Sequence, residues 1–201
     1  MTILAAASLT EAFLDGGRDL QRAQPGFSPA FSFAGSQQLV TNVRGGAPAD
    51  VVATADPESM QSLVAAGLVD APRTCARNRL QIVVARGNPA GVHSLADLAG
   101  GHVAVVLADP SVPAGRLARR ALQRAGVEVM PRSNELDVRA ALQRVESHDA
   151  DAAIVYATDV VSAGNRAEGV AIPDAQNVDA VYPIAVVRST RNRAAADAFV
   201  D

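Results

Sequence analysis

The residues able to do chemistry gather in four short segments, each lying where an apolar run gives way to a helical pattern. The first is Ala6-Ala7-Ser8-Leu9-Thr10-Glu11, in which Ser8 and Glu11 have the S-x-x-E spacing of a capping box. The second is Phe33-Ala34-Gly35-Ser36-Gln37, where small residues and a serine close an apolar run and Gly35 allows a close approach to the backbone. The third is Asp109-Pro110-Ser111-Val112-Pro113-Ala114-Gly115. Pro113 suits a first helical turn, and Ala114 and Gly115 put no bulk in front of their amides. The fourth is Asn134-Glu135-Leu136-Asp137-Val138-Arg139, where Asp137 reads as an N-cap and the amides of Val138 and Arg139 follow as donors. A helix start presents N–H groups and about half a positive charge. Four such starts aimed at one ligand would hold an anion with no help from Lys or Arg side chains.

Other chemistries are poorly served. Cys75 is the single cysteine, so no internal disulfide or multi-cysteine metal site exists, and it reads as a buried free thiol. His93, His102 and His148 are scattered, with no i,i+4 pair to hold a metal. No phosphate-binding loop, dinucleotide fingerprint or G-x-S-x-G elbow is present. An enzyme using Ser8 or Ser36 as nucleophile would need a base, and none of the four segments contains a histidine. Apolar runs such as Val103 to Ala108 are far below the roughly 18 residues of a membrane span.

The elements that must position these segments follow from periodicity. The chain has 201 residues, 49% hydrophobic but only 3% aromatic, so Ala, Val and Leu build the core. Its 18 basic residues, all arginine, against 21 acidic ones give a net charge of -3, which is unsuited to unaided nucleic-acid binding. Strand and helix patterns alternate: strands at Ile3–Ala7, Phe27–Phe33, Val51–Ala53 and Asn78–Ala85, with helices at Leu9–Ala23, Gln37–Arg44 and Glu58–Ala66. A second round follows. It has strands at His102–Leu107, Val127–Met130, Ala152–Tyr156 and Tyr182–Val187, and helices at Gly115–Ala125, Val138–Glu146, Asp159–Ala163 and from Asn192 onward. The pattern predicts an α/β protein of two lobes with mostly parallel sheets, residues 1–77 plus 183–201 and residues 78–182, joined by two crossing strands. These strands would act as the hinge of a ligand cleft.

Seven segments in order and spacing carry a resemblance: Ala5-Ala6-Ala7-Ser8-Leu9-Thr10, Phe31-Ser32-Phe33-Ala34-Gly35-Ser36, Gly46-Ala47-Pro48-Ala49-Asp50-Val51, Val112-Pro113-Ala114-Gly115, Asp137-Val138-Arg139-Ala140-Ala141-Leu142, Ile154-Val155-Tyr156 and Tyr182-Pro183-Ile184-Ala185-Val186. Together they resemble the periplasmic molybdate-binding proteins of ATP-driven (ABC-type) importers, which have the two-lobe type II periplasmic-binding-protein fold. The resemblance implies molybdate, and tungstate with it, as ligand. It implies contacts from Ser8, Ser36, Ala114, Val138 and Tyr156, with molybdenum bound as an oxyanion and no bare metal cation or cofactor. From its position alone, Tyr156 at the close of a buried strand reads as core; the resemblance makes it a ligand residue.

The resemblance further implies a non-enzymatic, monomeric, periplasmic or extracytoplasmic protein, lipid-anchored in its full-length form. It would serve a membrane permease and its ATPase and bind no nucleic acid. The loop before Val112 is shorter than in many members, with only Ser111 after Pro110, which bears on how Ala114 presents its amide. The alternatives are another oxyanion-binding protein or, within the same fold, the effector domain of a transcription regulator, which would need a DNA-binding module. No basic helix of that kind occurs in these residues.

Overall fold

A computed structural model describes residues 1–201. The chain divides into two compact units, Met1–Arg77 with Val181–Asp201, and Asn78–Ala180. Val181 and Tyr182 thus fall with the first unit, where the strand pattern had carried the second lobe to residue 182.

The first unit is built on a five-stranded sheet ordered β2-β1-β3-β10-β4. Its strands are β1 (Thr2–Ala6), β2 (Ala30–Ala34), β3 (Val51–Ala53), β4 (Arg73–Asn78) and β10 (Ala180–Val186). β1 pairs in parallel with both β2 and β3, and β10 runs antiparallel to β3. The helices are α1 (Thr10–Ala23), α2 (Ser36–Arg44), α3 (Pro57–Ala65) and α7 (Arg193–Val200). Leu39 and Val43 of α2 and Met60 and Leu63 of α3 cover one sheet face, packing on Leu4, Val52 and Ala185. Burying each large aliphatic side chain is worth about 1.5–3 kcal/mol. On α1, Phe13 meets Phe31 and Phe199, and Phe199 of α7 also stacks on Phe27. Phe33 stacks on Phe31, so all five phenylalanines of the chain share one cluster in this unit. Gly17 admits the Phe31 ring, whose atoms lie 2.8 Å from where a Cβ would stand.

The second unit is a sheet ordered β7-β6-β8-β5-β9. It comprises β5 (Leu80–Ala85), β6 (Val105–Ala108), β7 (Ser133–Glu135), β8 (Ala152–Tyr156) and β9 (Ala167–Ala171). β6 is parallel to β7 and β8, whereas β5 is antiparallel to β8 and β9. Both sheets are therefore mixed. The crossing strands β5 and β10, read from sequence as part of a mostly parallel arrangement, enter against the grain because no crossover helix returns the chain. The helices are α4 (Pro113–Ala125), α5 (Val138–Glu146) and α6 (Ala157–Ala163). α4 buries Leu117, Ala118, Ala121 and Leu122 and ends at Gly126, left-handed at φ +67°.

Three strand assignments differ from the periodicity. Residues 127–130 form no strand, and Met130 is 96% exposed. The strand here is the polar β7, which follows at Ser133–Glu135. β9 has no counterpart in the sequence reading, and the long Asn78–Ala85 run proves to be the end of β4 plus β5.

Cys75 corrects the reading of a buried residue, although its sulfur is shielded. It lies exposed on the edge strand β4, which is polar along most of its length. Its thiol nevertheless donates to the Tyr182 carbonyl at 3.2 Å, and burial of the sulfur pushes its pKa up to about 11. Alkylation by iodoacetamide is expected to be slow at neutral pH and to rise about tenfold per pH unit toward pH 10, as the thiolate fraction grows. Fast labelling at pH 7 would contradict this environment.

At the opposite strand ends from the turns that carry Ser8 and Ser36, Asp50 ties the first unit together. Its carboxylate accepts from the Thr2 amide at 2.6 Å, from the Thr190 hydroxyl and from the Asn192 side chain. Burial opposes ionisation, but the hydrogen bonds from Thr190, Thr2 and Asn192 outweigh it and hold the pKa below the ordinary carboxylate value. The stabilisation is thus complete above the unfolded-chain pKa and is lost as pH falls through the lowered folded-state value. Asp50→Asn is expected to cost about 1–3 kcal/mol in urea unfolding at pH 7. The difference from the unsubstituted protein should vanish in strong acid.

Candidate functional site

Parallel pairing decides where the first unit presents its serines. Ala6 pairs with Ala34, and the chain turns immediately beyond each, placing Ser8 and Ser36 side by side at the carboxyl edge of β1 and β2. Ser8 lies in a single 3-10 turn, Ala7–Leu9, before α1 begins at Thr10. The expected capping box is not formed. No side chain caps either helix, and the Thr10 hydroxyl instead donates to the Ala7 carbonyl. The Ser8 hydroxyl is buried without a hydrogen-bond partner, in a residue only 8% exposed. Such a group carries a desolvation cost of about 1–3 kcal/mol.

Ser36 opens α2, whose N-cap, Gly35, has no side chain to offer. The Ser36 oxygen accepts from the Ala55 amide at 3.0 Å. That bond orients the hydroxyl and leaves its proton for another acceptor. Ala55 follows β3, the third strand to end at this edge. It was not anticipated from the sequence, because an alanine acting through its backbone leaves no side-chain signal. The neighbouring α3 shows the contrast: Asp56 caps it by accepting from Ser59 N at 2.8 Å. The helix start that carries Ser36 has no such side-chain cap.

The second unit repeats the geometry. β6, β7 and β8 run parallel and end together, at Ala108, Glu135 and Tyr156. After β6, the Asp109 carboxylate accepts from the amide and hydroxyl of Ser111, which holds its pKa below the ordinary value and shapes the short loop. α4 then begins at Pro113 with no side-chain cap, so Ala114 and Gly115 carry its first amides. A Cβ at Gly115 would overlap the carbonyl oxygens of Ala108 and Asp109; only glycine lets α4 start this close to the strand. Asp137 caps α5 as anticipated, but it takes the amide of Ala140 at 2.9 Å rather than that of Val138. Tyr156 ends β8, 1% exposed, and its amide donates to Asp159 Oδ2 at 3.0 Å. Asp159 is fully buried and forms an ion pair with Arg139 of α5, Nε to Oδ1 3.2 Å. Asp159 was missed as a site residue, although its spacing from Tyr156 matches that of Ser8 and Glu11.

Ser8 and Ser36 are thus brought together in the first unit, and Ala114, Val138 and Tyr156 in the second. Each set offers N–H and O–H groups. Of the buried carboxylates nearby, Asp159 faces an amide and a guanidinium, and Asp56 accepts from the Ser59 amide. The two serines should separate in stability measurements. Ser36→Ala strips the Ala55 amide of its acceptor and is expected to cost about 1–3 kcal/mol. Ser8→Ala removes an unpartnered buried hydroxyl and is expected to leave the melting temperature unchanged or raised. A clear loss of stability in Ser8→Ala would mean that its hydroxyl caps a helix after all.

Comparison with known proteins identifies the family. The chain is 40% identical over 201 residues to the molybdate-binding protein ModA of Mycobacterium tuberculosis, covering all of this chain and 77% of that protein. It is 33% identical over 214 residues to the molybdate-binding protein ModA of Escherichia coli, covering all of this chain and 82% of that protein. The periplasmic molybdate-binding protein of Azotobacter vinelandii shares the fold at a TM-score of 0.85 and 19% identity, across all of this chain and 90% of the other. A family model for bacterial extracellular solute-binding proteins matches residues 1–201. With full-length matches in both sequence and fold, the chain belongs to the bacterial extracellular solute-binding protein family.

Proposed function

We propose that this chain captures molybdate outside the cytoplasm for an ABC-type importer, and accepts tungstate as well. One oxyanion would be held by the hydroxyls of Ser8, Ser36 and Tyr156 and by the backbone amides of Ala114 and Val138. The observation that carries this reading is the buried, unpartnered hydroxyl of Ser8 at a strand edge shared with Ser36. A donor placed at such a cost, among helix starts without side-chain caps, calls for an acceptor from outside. The names of the relatives supply its identity.

The chemistry of the donors gives selectivity. A fully ionised tetrahedral dianion has only acceptors, so every contact is satisfied. Phosphate at neutral pH retains a proton that would meet donors, at a cost of about 1–3 kcal/mol. Asp159 does not relieve this, because its oxygens face Tyr156 N and Arg139. Sulfate has no proton, but its shorter bonds hold its oxygens too near the centre to reach donors spaced for molybdate. The captured anion would pass to a membrane permease and its ATPase. The protein would act as a monomer, without nucleic acid, in a periplasmic or lipid-anchored setting.

Competition calorimetry at neutral pH tests the assignment. Molybdate and tungstate are expected to displace each other, while sulfate and phosphate fail in large excess. Ser8→Ala and Ser36→Ala should each weaken molybdate by about tenfold to a hundredfold, the loss of one charge-assisted hydrogen bond. Tight phosphate binding, or wild-type affinity in both variants, would overturn it.

A further inference from the structure

Asp159 sits at 0% exposure, an expensive place for a carboxylate unless both oxygens are engaged. They are engaged by different elements. Oδ2 takes the Tyr156 amide, at the junction of β8 and α6. Oδ1 faces Arg139, whose side chain is 25% exposed and which lies in the first turn of α5 next to Val138. Capping α6 requires only the first contact, and a neutral acceptor would provide it. The second contact reaches another helix and brings a guanidinium largely out of water. Replacing a buried ion pair by apolar residues is often neutral for stability, so stability is a weak reason to keep one.

We propose, building on the molybdate reading, that Asp159 is a positioning residue for anion size. Through one carboxylate it fixes Tyr156 and the start of α5 relative to each other, and so sets the spacing of the Tyr156 hydroxyl and the Val138 amide. Rigid spacing is what excludes sulfate: donors that cannot draw inward leave the smaller ion short of contacts. With the Arg139–Asp159 link cut, the start of α5 relaxes and the shell adapts to either ion. Groups that orient ligand-binding residues typically change affinity by about 10–100-fold when lost.

The test uses Asp159→Asn, which keeps an acceptor for the Tyr156 amide, and Arg139→Met, which keeps the packing stem. Molybdate and sulfate affinities are measured by direct and competition calorimetry, alongside melting temperature. Both variants are expected to bind molybdate about tenfold more weakly, with the molybdate-to-sulfate preference falling by about tenfold or more. Arg166→Met, which cuts the surface pair of Arg166 with Glu146 in the same unit, should leave the preference at the wild-type value. Combining Asp159→Asn with Tyr156→Phe should give less than the product of the single effects, since both act through one donor. A purely structural pair would lower the melting temperature and weaken both anions alike, which would overturn the proposal. Wild-type preference in both variants would do the same. If Asp159→Asn does not fold, Arg139→Met decides alone. The molybdate reading is judged separately: if the unsubstituted protein binds molybdate and Ser8→Ala weakens it, that reading stands even where Asp159→Asn has no effect.

Discussion

Parallel pairing at the heart of each sheet is the constraint from which the rest follows. Parallel strands end at the same edge, and each must then turn into a helix to return. β1, β2 and β3 therefore deliver Ser8, Ser36 and Ala55 to one edge, and β6, β7 and β8 deliver Ala114, Val138 and Tyr156 to another. At such an edge the backbone itself is the reagent. Helix starts supply oriented N–H groups, and side chains need add only a few hydroxyls. This explains how a chain with 18 arginines and a net charge of -3 can present neutral donors at these edges.

An unpartnered buried donor is costly, and the surrounding structure offsets the cost. The Ser8 hydroxyl is unpartnered, and three helix starts carry no side-chain cap. Close packing elsewhere makes these starts possible. Gly115 brings α4 against β6, and Gly17 brings α1 against Phe31. The phenylalanine cluster clamps α1 and α7 to the first sheet, and Asp50 gathers the far end of the same unit. Other helix starts at these edges, α3 with Asp56 and α5 with Asp137, are capped in the ordinary way. Capped and uncapped starts thus share the edges, and the unpartnered Ser8 hydroxyl lies beside an uncapped one.

Much of the strand and helix pattern was legible because it is local. Ala152–Tyr156 and Val138–Glu146 were bounded correctly by apolar periodicity and by Asp137 as a cap. Ser8, Ser36, Ala114 and Val138 stood out as helix-start residues, and family resemblance added Tyr156. What failed was non-local. β7 and β9 are edge strands with few buried residues, defined by hydrogen bonds to β6 and β5 that no alternation announces. Val127–Met130 had the apolar content of a strand but no neighbour to pair with, and Met130 is left in water.

The sequence by itself determined the α/β class, the helix starts and the donor-rich character of the turns, since these depend on residue type and spacing. Tertiary structure decided what each side chain does there. S-x-x-E at Ser8 spells a helix cap, yet the intervening 3-10 turn leaves its hydroxyl unpartnered. Ser36 gains its orientation from Ala55, which approaches only because β1 brings β2 and β3 to the same edge. Cys75 looked buried by composition and proved exposed because β4 lies at an edge of its sheet. Asp159 read as an unremarkable helix residue and became the link from Tyr156 to α5. A hydrogen bond depends on where two groups meet in space, and for residues far apart in the chain only the folded packing fixes that.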